Sequence, residues 1–242
     1  MRPDKPLGHK SYGTIGHLPG SRQGRDDVGM TPGQARICCE KARDRHDRII
    51  VQEKLDGTNV AVANVAGQLI PLIRAGYPAV SSHYEQHRLF AAWVFERLPL
   101  FDFLRPGERV AGEWLAQAHG TRYQLTHDPF VVFDIMRSGH ERAPFDEFVG
   151  RVGERLVVPK LLHDGAPFSI DNAMKLLGPH GFHGAVDPVE GAVWRVERKC
   201  EVDFLAKYVR PDKVDGCYLP EISGQPPVWN WRPPKRAENA ES

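Results

Sequence analysis

The sequence has few cysteines, and they form no metal-binding or redox pattern. The four cysteines, at positions 38, 39, 200 and 217, include no Cys-x-x-Cys pair and no zinc-ligand spacing, so we expect reduced thiols. No apolar run approaches the roughly 20 residues needed to cross a bilayer, and we expect no membrane partner. The first residues also lack the apolar core of a signal peptide, which predicts a cytoplasmic protein.

The chain also lacks a strong excess of charge of either sign. Its net charge is +1 over 242 residues, of which 26% are charged and 41% are hydrophobic. This composition is typical of a globular protein and does not decide for or against a nucleic-acid partner. Basic residues dominate the first 25 positions, and both a basic groove and an ordinary solvated surface are compatible with that excess.

Local patterns predict a mixture of helices and strands. Thr31-Pro32-Gly33-Gln34 predicts a capped helix that continues to about residue 47, and Ser82 to Glu85 predicts a second capping box for a helix that ends before Pro99. Pro71 predicts an edge position or a bend for a strand at 68–76. Further strands are predicted at 109–116, 130–136, 156–162, 191–197 and 202–209, and further helices at 145–152 and 171–177. Without a repeat or a dividing linker, we predict one domain over residues 1–232 and a disordered tail at 233–242.

One stretch carries chemistry as well as structure. Glu53-Lys54-Leu-Asp56-Gly57-Thr-Asn59 lies between the apolar runs 49–51 and 60–62, a pattern that predicts a β-hairpin with a tight Asp-Gly turn. A lysine with the ordinary pKa of about 10.4 is an ammonium ion at neutral pH and is not nucleophilic. Burial or a nearby cation lowers that pKa and exposes the amine lone pair. Lys54 is therefore a candidate nucleophile toward a nucleotide α-phosphate.

The pattern Lys54-x-Asp-Gly-x-Asn59 resembles the nucleophile motif of the covalent nucleotidyltransferases, the superfamily of polynucleotide ligases and mRNA capping enzymes. Further stretches resemble the superfamily's other motifs and follow in its order: Arg74-Ala-Gly76, Gly112-Glu-Trp-Leu115, Phe130-Val-Val-Phe-Asp-Ile135, Glu190-Gly-Ala-Val-Trp-Arg195 and Val202-Asp-Phe-Leu-Ala-Lys-Tyr-Val-Arg210. Two positions depart from the family pattern. Ile73 replaces a serine, and Val209 replaces the second lysine of a Lys-x-Lys element.

The resemblance implies a role for each matched residue. Lys54 would carry the nucleotide, and Lys207 would stabilise charge on the α-phosphate and help to lower the pKa of Lys54. Glu113 would contact the ribose, Phe133 would stack on the purine, and Glu190 would hold Mg²⁺ or Mn²⁺. Further nucleotide contacts are implied for Glu53, Asn59 and Arg74. Nucleic-acid contacts are expected of Arg22 and Arg210, and both Arg210 and Lys213 are candidates for the missing second cation.

Within the superfamily, the chain most resembles ATP-dependent RNA ligases of the nick-sealing type. The implied fold is α+β, an ATP-grasp-like nucleotidyltransferase domain of antiparallel sheets flanked by helices. Lys54 would take AMP from ATP and pass it to an RNA 5′-phosphate, and a 3′-hydroxyl would then displace the AMP. We expect no OB-fold domain, because only about thirty residues, rich in proline, follow Arg210. Whether a separate RNA-binding or end-processing partner assists the protein stays open.

Two other functions also stay open. A nucleotidyltransferase with an acceptor other than RNA would keep the same lysine chemistry, and its nucleotide preference would distinguish it. A catalytically degenerate nucleotide-binding or RNA-binding module is the second alternative, which only Ile73 and Val209 support. Against it stand the matched residues that are all present: Lys54, Glu113, Phe133, Glu190 and Lys207.

Overall fold

Two β-sheets, each with helices on one face, make up the computed structural model, which describes residues 4–234. The elements in chain order are β1 (Gly16–His17), α1 (Pro32–Cys39), β2 (Asp47–Lys54), β3 (Thr58–Val65), β4 (Gln68–Ile73), α2 (Glu85–Phe95), β5 (Arg109–Trp114), β6 (Phe130–Met136), α3 (Phe145–Val152), β7 (Leu161–Gly165), α4 (Ile170–Leu177), β8 (Gly191–Arg198), β9 (Glu201–Val209) and α5 (Pro220–Ser223).

The strands form a five-stranded sheet of order β1-β9-β8-β2-β7 and a four-stranded sheet of order β4-β3-β5-β6. Neighbouring strands are antiparallel except for β1, which pairs in parallel with β9. Neither sheet closes into a barrel within residues 4–234. The predicted α+β fold of antiparallel sheets flanked by helices is confirmed, as is the edge position of β4, which contains Pro71.

The predicted hairpin around residues 55–57 is wrong, because its two strands belong to different sheets. β2 pairs with β7 and β8, whereas β3 pairs with β4 and β5. Ile49 and Ile50 are both fully buried although their side chains point to opposite faces of β2. A strand that is apolar on both faces belongs in the centre of a sheet, so β2 has partners on both sides. Residues 55–57 therefore cross from one sheet to the other.

Helices cover the outer face of each sheet. Phe90 and Trp93 of α2 pack against Trp114 and Phe130 of the four-stranded sheet, with ring centroids 5.0–5.8 Å apart. Under α1 and α4, side chains of the five-stranded sheet form a second cluster that includes the fully buried Trp194. The inner faces of the sheets face each other, and the space between them holds the candidate site described below.

Other differences from the predicted elements have local causes. The capping box of Thr31 and Gln34 is confirmed, but α1 ends at Cys39 because the following charged residues form turns. The second predicted capping box is wrong: α2 begins at Glu85, and Ser82 Oγ lies 2.7 Å from His87 Nδ1 instead. The strand predicted at 156–162 begins only at Leu161 as β7.

Within residues 4–234, no helix is long and apolar enough to span a bilayer. The tail predicted to be disordered lies outside the described residues from position 235 onward.

Candidate active site

Lys54 is the last residue of β2 and faces the space between the two sheets. The side chains of Ile50, Gln52 and Lys54 share one face of the strand because strand side chains alternate. A cavity of about 480 Å³ lies in front of that face. Lys54 Nζ is 2.7 Å from Glu190 Oε2, and only 21% of its side chain is exposed. The register explains this pair, since Lys54 lies opposite Gly191, the residue after Glu190.

The groups around Lys54 favour its ammonium form. Burial lowers its pKa, but the carboxylates of Glu190 and Glu113 outweigh that effect and raise the pKa to about 12. The pKa of Lys54 is therefore raised in this structure, and the expected help of Lys207 in lowering it stays a prediction. It is the pKa of Lys207 that is lowered, by burial and by the charge of Lys54.

Carboxylates crowd the end of the cavity where the chain crosses between the sheets. Glu113 Oε1 accepts a hydrogen bond from the Gly57 N–H at 3.1 Å. Burial raises the pKa of Glu113 to about 8, and the Glu190 carboxylate contributes to that rise. Asp56 accepts a hydrogen bond from the Gly120 N–H at 2.9 Å and pairs with Lys213 Nζ at 2.8 Å. Carboxyl groups are thus concentrated around Lys54.

The structure separates the two candidates for the missing second cation. Lys213 is buried, 7% exposed, and its ammonium group is bound to Asp56 and Thr121 beside the crossover. Arg210 pairs instead with Asp212 at 2.7 Å and lines neither of the two cavities found near Lys54. Lys213 is therefore the cation closer to the carboxylate cluster, although the sequence motif does not contain it.

An aromatic wall faces the lysine across the cavity. Phe133 of β6 lines the cavity and meets the ring of Tyr12 edge-on, with centroids 5.1 Å apart. The Tyr12 hydroxyl donates to Asp134 at 2.8 Å, which fixes this ring. Asn59 also lines the cavity, and its buried Oδ1 has no hydrogen-bond partner. A flat apolar surface beside unsatisfied polar groups is typical of a site for a small ligand.

A family model described as RNA ligase matches residues 47–209. The match runs from β2 to β9, includes Lys54, Glu113, Phe133, Glu190 and Lys207, and covers more than half of the chain. The chain belongs to the RNA ligase family.

Solved RNA ligase structures share this fold at low sequence identity. A mutant of Naegleria gruberi RNA ligase with ATP and Mn has a TM-score of 0.53 and 15% identity, over 83% of this chain and 60% of that chain. A second mutant of the same protein, in the apo form, gives 0.52 and 15% over 93% and 64%. An archaeal ATP-dependent RNA ligase gives 0.48 and 22% over 67% and 42%. No curated protein matches significantly. The chain thus spans less than two thirds of each of these ligases.

Most of the predicted site residues of this RNA ligase family member lie around the same cavity. Two of these residues have charged groups that are already bound to other parts of the protein. The Glu53 carboxylate accepts the Phe182 N–H at 3.0 Å, and Arg74 is exposed and donates to the Gly13 carbonyl at 3.3 Å. Arg22 and Glu190 line a second, adjoining cavity, and Arg22 pairs there with Asp215. The residues brought to the main cavity are Glu53, Lys54, Asn59, Arg74, Glu113, Phe133 and Lys207.

Sequence reasoning missed two groups that line the cavity. Arg195 is 3% exposed and holds Asp134 at 2.7 Å, which fixes the carboxylate that binds Tyr12. His119 Nε2 lies 3.0 Å from Thr58 Oγ1 and 3.1 Å from Gln86 Oε1, a network that joins the crossover to α2. Arg195 ends a recognised motif and could have been found there. The partners of His119 are distant in sequence, and no local pattern indicates them.

Proposed function

We propose that this member of the RNA ligase family is an ATP-dependent RNA ligase that works through a covalent lysyl-AMP at Lys54. One observation carries the proposal. A single cavity between the sheets is lined by the partly buried Lys54, the aromatic ring of Phe133, the ribose-binding candidate Glu113 and a second lysine, Lys207. A nucleotide bound with its base at Phe133 would place its phosphates toward the two lysines.

Lys54 supplies the nucleophile for the first step. Its ammonium group has to lose a proton and leave Glu190 before the Nζ lone pair can attack the α-phosphorus of ATP. A phosphorus–nitrogen bond then forms, the bond to the pyrophosphate oxygen breaks, and pyrophosphate leaves. In the second step an RNA 5′-phosphate oxygen attacks the same phosphorus and releases Lys54. In the third step a 3′-hydroxyl oxygen attacks the 5′-phosphorus, and AMP leaves as the phosphodiester forms.

Basic residues stabilise the phosphate charge during these steps. Lys207 lies beside Lys54 on the cavity wall, where its cation offsets negative charge on the α-phosphate. Lys213 holds Asp56, so that one carboxylate of the crossover is neutralised before a polyanion enters. Since the site is partly buried, each of these charges acts more strongly than it would in water.

The residues present fit a divalent cation. Glu190 and Glu113 line the second, adjoining cavity beside Lys54 and supply carboxylate oxygens there, and burial raises the pKa of both groups. No group of three side chains able to hold a metal by itself occurs within residues 4–234. This donor set suits Mg²⁺ or Mn²⁺ held by Glu190 together with nucleotide phosphates. Such an ion supplies charge neutralisation at the leaving pyrophosphate.

RNA with a 5′-phosphate and a 3′-hydroxyl is the proposed acceptor. The family membership and the fold shared with RNA ligases support it. Whether a separate RNA-binding or end-processing partner assists the protein stays open. The single catalytic domain over 1–232 and the cytoplasmic location stay predictions.

The test of the function is covalent labelling. The protein is incubated with α-labelled ATP or GTP and Mg²⁺ and then denatured, and the label on the polypeptide is measured. We expect label from ATP in the wild type and in Lys41→Ala, an exposed control lysine, and none in Lys54→Ala. Labelled protein is then given nicked, single-stranded and 5′-hydroxyl RNA, and only 5′-phosphorylated RNA should remove the AMP.

Two outcomes would contradict the proposal. Label from GTP but not from ATP, or transfer of AMP to an acceptor other than RNA, would indicate a different nucleotidyltransferase. No label from either nucleotide, in folded protein freed of bound AMP, would indicate a nucleotide-binding or RNA-binding module without catalysis.

A further inference from the structure

A second cavity, of about 290 Å³, adjoins the main cavity in front of Lys54. The two cavities share Lys54, Lys207 and Glu113 on their walls. The remaining walls of the second cavity include residues of the N-terminal segment 17–27 and of the segment 215–222 after β9. Both segments lie outside residues 47–209, which the family model matches.

His17 supplies a buried nitrogen with no hydrogen bond on the wall of the second cavity. The residue is 2% exposed, and its Nδ1 lies 2.7 Å from Ser21 Oγ. Its Nε2 is 3.2 Å from Asp27 Oδ2 but makes no hydrogen bond of acceptable geometry. The Asp27 carboxylate beside Nε2 favours the neutral tautomer with its proton on Nε2, and Nδ1 then accepts from the Ser21 hydroxyl. His17 then presents a donor to the cavity, which suits an anionic ligand.

His17 and Arg22, the basic residues that line only this cavity, each lie beside a carboxylate from a surface segment. Asp27 lies 3.2 Å from His17 Nε2 and 3.7 Å from Lys207 Nζ. Arg22 is paired with Asp215, whose side chain is 60% exposed. Ion pairs with such an exposed partner are weak, so a more highly charged anion can displace the carboxylate. The other carboxylates, Asp56 and Glu190, already have cationic partners in Lys213 and Lys54.

We propose that the second cavity binds a phosphate group other than the one that Lys54 attacks. His17 and Arg22 are its ligands, and the phosphate displaces Asp27 and Asp215 from them. The inference rests on the proposed function, because that function supplies two phosphates of this kind. They are the terminal phosphates of ATP and the 5′-phosphate of the RNA. Both share the chemistry of a compact, multiply charged phosphate, and the experiment separates them.

Binding is measured by titration calorimetry on the full chain, with inorganic pyrophosphate as one probe. The second probe is a short RNA with a 5′-phosphate, compared with the same RNA carrying a 5′-hydroxyl. We expect His17→Ala and Arg22→Ala each to lower the affinity for one of these probes by about tenfold. This is the effect of losing one charge-assisted contact. Arg25→Ala is the matched control, because Arg25 is exposed in the same segment and does not line the cavity.

The source of the phosphate follows from which probe is affected. Weaker pyrophosphate binding with slower self-adenylylation identifies the terminal phosphates of ATP. Unchanged pyrophosphate binding, with a lost preference for 5′-phosphorylated RNA and slower AMP transfer from preformed lysyl-AMP protein, identifies the RNA end. Either result supports the proposal.

A variant that should bind more tightly distinguishes a lost contact from misfolding, because misfolding would only lower the affinity. Asp215→Asn removes the carboxylate that pairs with Arg22, and we expect it to raise the affinity for the affected probe several-fold. Unchanged affinities for both probes in His17→Ala, Arg22→Ala and Asp215→Asn would overturn the proposal. Failure of the proposed function has a different signature, since wild-type protein would then bind pyrophosphate or RNA without ever becoming labelled by ATP.

Discussion

At the scale of single residues, Lys54 and its neighbour Glu53 point to opposite faces of β2, and the two charged groups therefore have different partners. Lys54 faces the cavity and pairs with Glu190, which helps to keep it an ammonium ion. The Glu53 carboxylate instead accepts hydrogen bonds from the Phe182 N–H. Burial raises the pKa of Glu53 to about 7, and the hydrogen bond from Phe182 only partly opposes this.

Glu53 should make stability depend on pH. A carboxyl whose pKa is raised on folding favours the folded state most below its unfolded pKa, and that advantage is lost as pH rises through the folded pKa. The window here is about pH 4.5 to 7. Glu53→Gln keeps an acceptor for Phe182 without the charge. We therefore expect the variant to gain up to about 3 kcal/mol of unfolding free energy relative to the wild type between pH 5 and 8.

Urea unfolding of both proteins across that pH range checks this expectation. Glu154→Gln is the control, because Glu154 is an exposed carboxylate. Its unfolding free energy, plotted against pH, should stay parallel to that of the wild type. Parallel curves for Glu53→Gln and the wild type would show that Glu53 does not carry the pH dependence.

At the scale of elements, the crossover from β2 to β3 decides the geometry of the site. It brings Asp56 and Gly57 against β5, where the Gly57 N–H binds Glu113. A Cβ on Gly57 would lie 2.5 Å from the Trp114 carbonyl oxygen, inside any acceptable contact. The glycine of the nucleophile motif is therefore needed for close approach between the two sheets, and not for a hairpin turn.

Gly57→Ala should push the crossover away from β5. We expect a loss of about 1–3 kcal/mol in unfolding free energy, as for other overpacked sites, and at least a tenfold drop in labelling by ATP. Gly33→Ala is the matched control, because a Cβ there meets no atom within 4 Å and alanine favours helix α1. Labelling at the wild-type rate in Gly57→Ala would show that the close approach is not required.

At the scale of the whole molecule, segments outside the matched family region hold the two sheets together. The N-terminal segment joins them, because Tyr12 binds Asp134 of β6 while β1 pairs with β9. The C-terminal segment fastens the loop after β5. Asn230 accepts the Tyr123 N–H at 2.9 Å and donates to the Leu115 carbonyl at 2.8 Å. That loop carries His119 to the cavity.

Asn230→Ala should loosen this loop and lower the stability of the molecule. Two partly buried backbone groups lose their partners, so we expect a loss of about 1–3 kcal/mol. Chemical denaturation measures it, with Gln225→Ala as the control because Gln225 is exposed in the same segment. A change no larger than that of the control would mean that the aromatic contacts of Trp231 hold the segment without Asn230.

The sequence by itself determined most of the strands, most of the helices and several of the residues that line the cavity. Apolar alternation and helix signals are local, so β6 and α3 have the bounds that the pattern predicts. Motifs on β2, β5, β6 and β9 bring Lys54, Glu113, Phe133 and Lys207 to one site, because those strands line a single cleft.

The tertiary structure alone decided which strands pair and which charges meet. Strand pairing depends on contacts between distant residues, so the sequence pattern around Gly57 did not reveal that β2 and β3 belong to different sheets. The charge on Lys54 depends on carboxylates that are distant in the chain, Glu113 and Glu190, and their summed effect exceeds that of burial. The pairing of Lys213 with Asp56 has the same origin, because only folding brings residue 213 to the crossover.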